Sequence, residues 1–421
     1  MTTYSYFGKE QKVYYEKLIN GLEVFIIPNH NIDSFHIELV TKYGSEIEKV
    51  KLLNGKYLNI PSGTAHFLEH KMFDMEELDG TSFFSKLGIY SNAGTNYFST
   101  RYFLDGNKHF KEGLEYLLKM IYTPYINDET VNKEMGIIEE EIKMYDDEPI
   151  WIMDTYFREN FYKNILKKKI AGTVDSIHEI NSDILNKVYD IFYQPSNMFL
   201  VVSGKVSIKK TLDIVKNNKE LNSHITNHEI VYEKHSEPRE VLNEYQEVRL
   251  NVLTTKFRYG FKFDLNDFSF ECKNTLRYYL NLIFMALFGE GSKFDEIVPE
   301  RKLASNFYID HFRKDNIYTL DIEGESDYAD LFKEEVDNTL NNISISKEDF
   351  ERIKKVWYSI IIKGLDNIEV LANSVVSDIL LNDKYTDEKK IIDSLKYSEL
   401  EEIIKELSFN NKTFILVLPK E

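Results

Sequence analysis

The sequence predicts two α/β domains, each a sheet with helices on one face, and three observations carry that reading. The chain has 421 residues, too many for a single ordinary core. Short apolar strands alternate with amphipathic helices along it. The order also recurs. A helix around Ser182–Phe192 leads into a strand at Phe199–Val202, and about 215 residues later a helix around Ser398–Leu407 leads into a strand at Phe414–Leu418.

In chain order, Gly21–Asn29 and His36–Lys42 read as strands. Ser62 or Thr64 is placed to cap a helix running to about Phe73. Phe98–Leu104 reads as a strand and Phe110–Tyr122 as a helix. Asp128–Tyr145 is the strongest helix, with Val131, Met135, Ile138, Ile142 and Tyr145 spaced four and three apart. Helical pattern returns at Ile150–Phe161 and Ser182–Phe192, Pro195 breaks it, and Asn197–Gly204 is a strand. The polar stretch Lys216–Glu240 has no sustained period and reads as a linker, which puts domains at 1–220 and 246–421 with 221–245 between them. Beyond it, Glu247–Phe263 is extended, Phe270–Phe288 and Asp349–Leu365 are helices, and Thr413–Pro419 closes the chain as a strand.

Composition narrows the function. At 43% hydrophobic and 29% charged residues, the chain is a folded one. A net charge of −18 argues against nucleic acid as the main partner. The single cysteine, Cys272, rules out a disulfide framework or a cysteine-built zinc site and is expected in the core. Met1–Tyr14 lacks the apolar stretch of a leader, and no apolar run is long enough for a membrane span, so the expected location is the cytoplasm.

The chemistry concentrates in His66-Phe67-Leu68-Glu69-His70. On a helix, residues i and i+4 share a face, so two imidazoles converge on one ion while Glu69 reaches a water on it. Two neutral histidines suit Zn²⁺, and a catalytic zinc takes three protein ligands and leaves one position open. The third ligand is expected from the helix Asp128–Tyr145, which offers Glu134, Glu139, Glu140 and Glu141. Glu134 and Glu141 stand two turns apart on one stripe with Ile138 between them, so Glu141 is expected as ligand and Glu134 as the support behind a ligand. The zinc would lower the pKa of its water, with Glu69 as general base. His224 and His228 are also four apart, but they sit in the polar stretch with no glutamate between them. The remaining histidines are isolated, and a packing or surface role is expected for them.

The string H-x-x-E-H is the inverted zincin motif. With its flanks, Gly63-Thr64-Ala65-His66-Phe67-Leu68-Glu69-His70 closely resembles the motif of the pitrilysin/insulinase family, which includes the mitochondrial processing peptidases. The helix with Glu134 and Glu141 resembles that family's downstream helix, though the 71 residues from His70 to Glu141 are a few fewer than usual. Tyr193-Gln194-Pro195-Ser196-Asn197-Met198 resembles the entry to its last strand. The resemblance implies two homologous domains, each a mostly antiparallel sheet packed with helices, forming half of a clam-shell. It implies His66, His70 and Glu141 as zinc ligands, one Zn²⁺ per chain and Glu69 as base. It also implies that Ser91–Thr95 is an edge strand whose Asn92, Ala93 and Thr95 meet the substrate by strand addition.

The second half departs from the family. Active members carry an Arg and a Tyr there, in a segment ending Gly-Leu-Ala-Tyr, whereas this chain reads Ile297-Val298-Pro299-Glu300-Arg301-Lys302-Leu303-Ala304-Ser305. In the favoured register Ser305 takes the Tyr position and Val298 or Pro299 the Arg position; a shifted register offers Arg301 and Tyr308. The resemblance therefore implies the zinc-bearing subunit of a heterodimer, whose related partner lacks the motif and supplies the Arg and Tyr. It resembles the short paired bacterial peptidases, some of which mature ribosomally made peptides such as bacteriocins. A homodimer is the alternative. A scaffold subunit without chemistry is the rival reading, and intact His66, Glu69, His70 and Glu141 argue against it.

Overall fold

The computed structural model describes every residue except 7–10, 77–78, 225–228, 383 and 421. Its strands are β1 Thr2–Tyr6, β2 Gln11–Lys17, β3 Glu23–Pro28, β4 Phe35–Thr41, β5 Lys49–Lys51, β6 Tyr57–Asn59, β7 Tyr90–Thr95, β8 Thr100–Gly106, β9 Met198–Gly204, β10 Tyr245–Leu250, β11 Lys256–Asp264, β12 Asn306–Lys314, β13 Ile317–Glu325 and β14 Lys412–Pro419. One large sheet has the order β1-β2-β3-β9-β4-β8-β7 and the other β10-β14-β11-β13-β12. β5 and β6 form a separate hairpin.

The two sheets share a topology. In each, the last strand lies between two earlier ones, parallel to one and antiparallel to the next in chain order: β9 between β3 and β4, β14 between β10 and β11, the larger sheet adding β2 and β1 beyond β3. Two further antiparallel strands follow, ending in β7 and in β12 as edges. The fold is thus two related α/β units, each with a mostly antiparallel sheet.

The units do not follow a single cut in the chain. One comprises Met1–Lys143, Lys169–Lys234 and Ile361–Asp387; the other comprises Met144–Lys168, His235–Ile360 and Glu388–Glu421. Each unit takes a helix from the other half of the sequence. In the first unit, Leu371, Ala372, Val375, Val376 and Ile379 of the helix Ile368–Asn382 cover Val13, Phe25, Ile27, Val40, Phe199 and Val201 on one sheet face. Periodicity shows which side of that helix is apolar but not which sheet it covers.

In the second unit the helix Pro149–Phe161 lies on β10, β11 and β14. Gly260 makes room for it, since a Cβ there would stand 2.4 Å from the Phe157 ring. Arg258 on β11 stacks over that ring, 4.1 Å from its centroid, and binds Asp154 of the helix at 2.6 Å and Asp321 of β13 at 2.8 Å. Asp321 is fully desolvated, which pushes its carboxyl up, and Arg258 is its counterion.

Three local expectations change. The extended stretch at 247–263 is two strands, β10 and β11. The polar stretch Lys216–Glu240 contains the helix Lys219–Ser223, and its Glu237 is buried against Lys262 at 2.9 Å while also accepting the backbone N–H groups of Lys163 and Asn164. A run of polar residues hides such a contact because a single buried ion pair leaves no apolar period to read. Cys272 is exposed at the N-terminus of the helix Lys273–Phe288, not in a core.

Replacing Arg258 by Ala leaves the buried Asp321 carboxylate without its cation, while Asp154 keeps Arg158 at 2.7 Å. The expected loss is about 3–5 kcal/mol, read as a lower urea midpoint for the second unit by fluorescence of Trp151 and Trp357.

Candidate metal centre

The motif helix spans Thr64–Lys71 and starts from Gly63, not from a Ser or Thr cap. Gly63 is left-handed at φ 91°, and a Cβ on it would stand 2.5 Å from the Ala171 carbonyl oxygen. Only glycine fits both demands. Thr64 is already the first helical residue and donates to the Pro61 carbonyl at 2.6 Å, and Ser62 offers its backbone oxygen to Ser176 at 2.9 Å. The loop at 171–176 therefore pins the chain just before the helix. Ala65, Phe67, Leu68 and Met72 then lock it into the core of the first unit, leaving His66, Glu69 and His70 on the outward side.

The helix Asp128–Asp147 meets it with one stripe. Val131, Glu134, Met135, Ile138 and Ile142 are buried, whereas Glu140 is exposed and bonded to Lys143 at 2.9 Å. Glu139 faces Lys143 at 2.9 Å and His178 at 3.4 Å. Of the four candidate glutamates, only Glu134 and Glu141 reach the histidines. Donor atoms of His66, His70 and Glu141 all lie within 4.8 Å of one another, and no other such group of three occurs among the described residues. The two Nε2 atoms stand 3.6 and 3.4 Å from the Glu141 oxygens. That is longer than a charge-assisted hydrogen bond of about 2.7–2.9 Å. It matches the roughly 3.3–3.6 Å between ligands held about 2.0–2.2 Å from a tetrahedral ion. Two imidazole nitrogens and a carboxylate are also the donor set that zinc accepts.

Behind the ligand atoms, His70 Nδ1 meets Glu134 Oε1 at 2.9 Å, which turns Nε2 toward Glu141. His66 Nδ1 is buried and has no hydrogen-bond partner. Glu69 accepts a 2.6 Å bond from the Thr95 hydroxyl on Oε2. No spacing in the chain points to that bond, nor to the buried hydroxyls of Thr100, Tyr102 and Tyr193 that lie beyond it.

The edge strand is present as β7, which among the described residues pairs only with β8. Asn92 is exposed, and its side-chain oxygen accepts from the Ala93 N–H at 2.9 Å. Thr95 faces Glu69, not the strand's open side. Arg301 and Tyr308 belong to the second unit. Arg301 binds Glu335 at 2.5 Å, and Tyr308 is 66% exposed on the edge strand β12. Val298 is buried, Pro299 is inside a helix, and the Ser305 hydroxyl donates to the Glu325 carbonyl at 3.0 Å. His224 bonds the Tyr122 carbonyl at 2.8 Å, and its expected companion His228 lies outside the described residues. No described helix is long and apolar enough to cross a membrane.

Comparison with known proteins gives the family and the fold. The family profile described as Insulinase (Peptidase family M16) matches residues 26–174, and that described as Peptidase M16 inactive domain matches residues 179–356. The chain is 30% identical over 419 residues to a protein of Bacillus subtilis (strain 168) named uncharacterized zinc protease YmfH, covering 98% of this chain and 97% of that one. It is 22% identical over 406 residues to an uncharacterized zinc protease of Rickettsia bellii, covering 92% of each. The crystal structure of an M16-like peptidase from Alicyclobacillus acidocaldarius superposes with a TM-score of 0.87 at 25% identity, covering 98% of this chain and 99% of the other.

The electrostatics of the cluster yield a measurable consequence. Burial alone would lower the His70 imidazole, but hydrogen bonds to Glu134 and Glu141 and the charge of Glu69 outweigh it and raise it from 6.5 to about 10. In metal-free protein His70 is thus protonated at neutral pH. That proton stabilises the fold fully below pH 6.5, and the contribution is lost as pH rises through about 10. A metal must displace it. Titrating Zn²⁺ into metal-free protein at pH 7.5 should release about one proton from His70, seen by calorimetry in buffers of different ionisation enthalpy, and affinity should weaken as pH falls.

Proposed function

The chain belongs to the M16 family of peptidases, the insulinase or pitrilysin family, and from that premise we propose that it is a zinc-dependent endopeptidase acting on peptides or small unfolded precursors. The observation that carries the proposal is the meeting of His66, His70 and Glu141 at ligand spacing with Glu69 beside them.

In this reading the three side chains would hold the zinc, and Glu134 orients His70 from behind. When bound there, the ion would supply Lewis acidity for polarising the scissile carbonyl and lowering the pKa of a water. Glu69 takes the proton of the attacking water on its free oxygen and returns it to the leaving amine. The open edge of β7 holds the peptide backbone by strand addition, which recognises an extended chain and asks little of its side chains. Such a site suits trimming or maturing a ribosomally made peptide.

We further propose that a related subunit without the motif completes the enzyme. Arg301 is engaged with Glu335, and the hydroxyl of Ser305, at the position of the family tyrosine, donates to the Glu325 carbonyl, which supports an outside source for both groups. The exposure of Tyr308 is what favours the alternative, a homodimer.

Glu69→Gln should keep about one zinc per chain by metal analysis while peptide hydrolysis falls at least roughly 10²-fold. Hydrolysis that survives the substitution removes Glu69 from the mechanism. The lone wild-type chain should cleave weakly and gain activity with its partner, and strong cleavage by the lone chain would instead favour the homodimer.

A further inference from the structure

We infer that Thr95 is a positioning residue for Glu69, and that it is held in turn by its place on β7 against the buried Thr100 of β8. The inference rests on the reading of Glu69 as the base.

Thr95 closes β7 and is half-buried. Side chains alternate across a strand, so Thr95 shares a face with Ala93, while Asn92 and Gly94 share the other. The Ala93–Thr95 face is the one packed on the helices, where Ala93 meets the apolar core. The resemblance placed Thr95 among groups that meet the substrate, but its hydroxyl points to Glu69 Oε2 at 2.6 Å. That is the length of an O–H···O⁻ bond to an ionised carboxylate. The bond occupies Oε2 and leaves Oε1 as the oxygen for the water.

The hydroxyl is itself supported. Thr100, opposite Thr95 in the β7–β8 register, brings its Oγ1 to 3.3 Å from that of Thr95 and donates to the Tyr43 carbonyl at 3.0 Å. Tyr193 bonds Thr100, and the Tyr102 and Tyr193 hydroxyls are 2.8 Å apart. Both tyrosines are buried, and desolvation together with the negative charge of Glu69 pushes both phenols upward, so they stay neutral hydrogen-bonding groups. The Thr95 proton goes to Glu69 and the Thr100 proton to the Tyr43 carbonyl, so Thr100 steadies Thr95 by contact across the strand pair, with the paired tyrosine hydroxyls behind it.

Glu69 and His70 then follow one design. Each reacting or ligating atom has a partner on its far side: Glu134 for His70, Thr95 for Glu69. The partner of Glu69 is carried by the same strand whose open edge would take the peptide. Seating of the peptide backbone on β7 is thereby linked to the placement of the base.

The test uses Thr95→Val, Thr95→Ala and Thr95→Ser in the active form of the enzyme, with zinc content and melting temperature measured on each. Valine keeps the shape and suits a strand, and alanine serves if valine unfolds the protein. The expected result is about one zinc per chain, kcat lowered roughly 10- to 100-fold, KM little changed, and recovery in Thr95→Ser. In a Glu69→Gln background the valine should cost nothing further. Unchanged kcat, a rise in KM alone, or an equal loss in the Glu69→Gln background would each overturn the inference. If Glu69→Gln itself leaves hydrolysis intact, the failure lies in the assignment of the base and not in Thr95.

Discussion

Three carboxylates, those of Glu69, Glu134 and Glu141, converge on two imidazoles in a partly buried spot, and carboxylates withdrawn from water demand positive charge. Much of the first unit serves this constraint. Without an ion, the demand falls on the proton of His70, which is why that imidazole is held so far above its ordinary value. The same charge imbalance would favour a divalent cation, which brings two charges where the proton brings one. The helices that carry these groups are short of freedom for the same reason. Gly63 fixes the start of one, and the buried stripe of the other leaves no room to rotate the glutamates away.

Much of this was legible in the chain because helical spacing is geometric. His66 and His70 had to share a face, and so did Glu134 and Glu141, so the sequence predicted which four side chains could meet. It could also separate Glu134 and Glu141 from Glu139 and Glu140, since Ile138 and Ile142 mark the buried side. The illegible parts are tertiary. Nothing in a period reveals that Thr95 reaches Glu69 across 26 positions, or that Tyr102 and Tyr193 touch across 91. The helix cap misled because Ser62 and Thr64 both favour capping locally, while packing against Ala171 required the glycine between them. Cys272 misled through composition, since a free cysteine is usually buried and this one sits outside its helix.

The repeated sheet shows how one scaffold serves two ends. The strand order and pairing sense that frame the metal cluster in the first unit recur in the second. There the long helix after β11 offers Asn281 and Phe284 instead of ligands. Asn281 accepts from Tyr318, and Phe284 stacks with His311 and Tyr318. Burial keeps His311 down at about 4, so it stays neutral and packs as an aromatic ring. Charge needing an ion in one unit is replaced by rings needing only contact in the other.

The traded helices set a schedule for the chain's birth. A polypeptide emerges N-terminus first, and domains generally fold as they appear. Here the sheet face bearing Val13, Phe25 and Phe199 waits for residues Leu371–Ile379, so nine-tenths of the molecule must be made before that face is covered. Until then the nascent first unit carries an oily surface that a chaperone, or premature pairing with a neighbouring chain, could occupy. The metal-bearing region does not wait in the same way, because its helices and β7–β9 are all translated by residue 204.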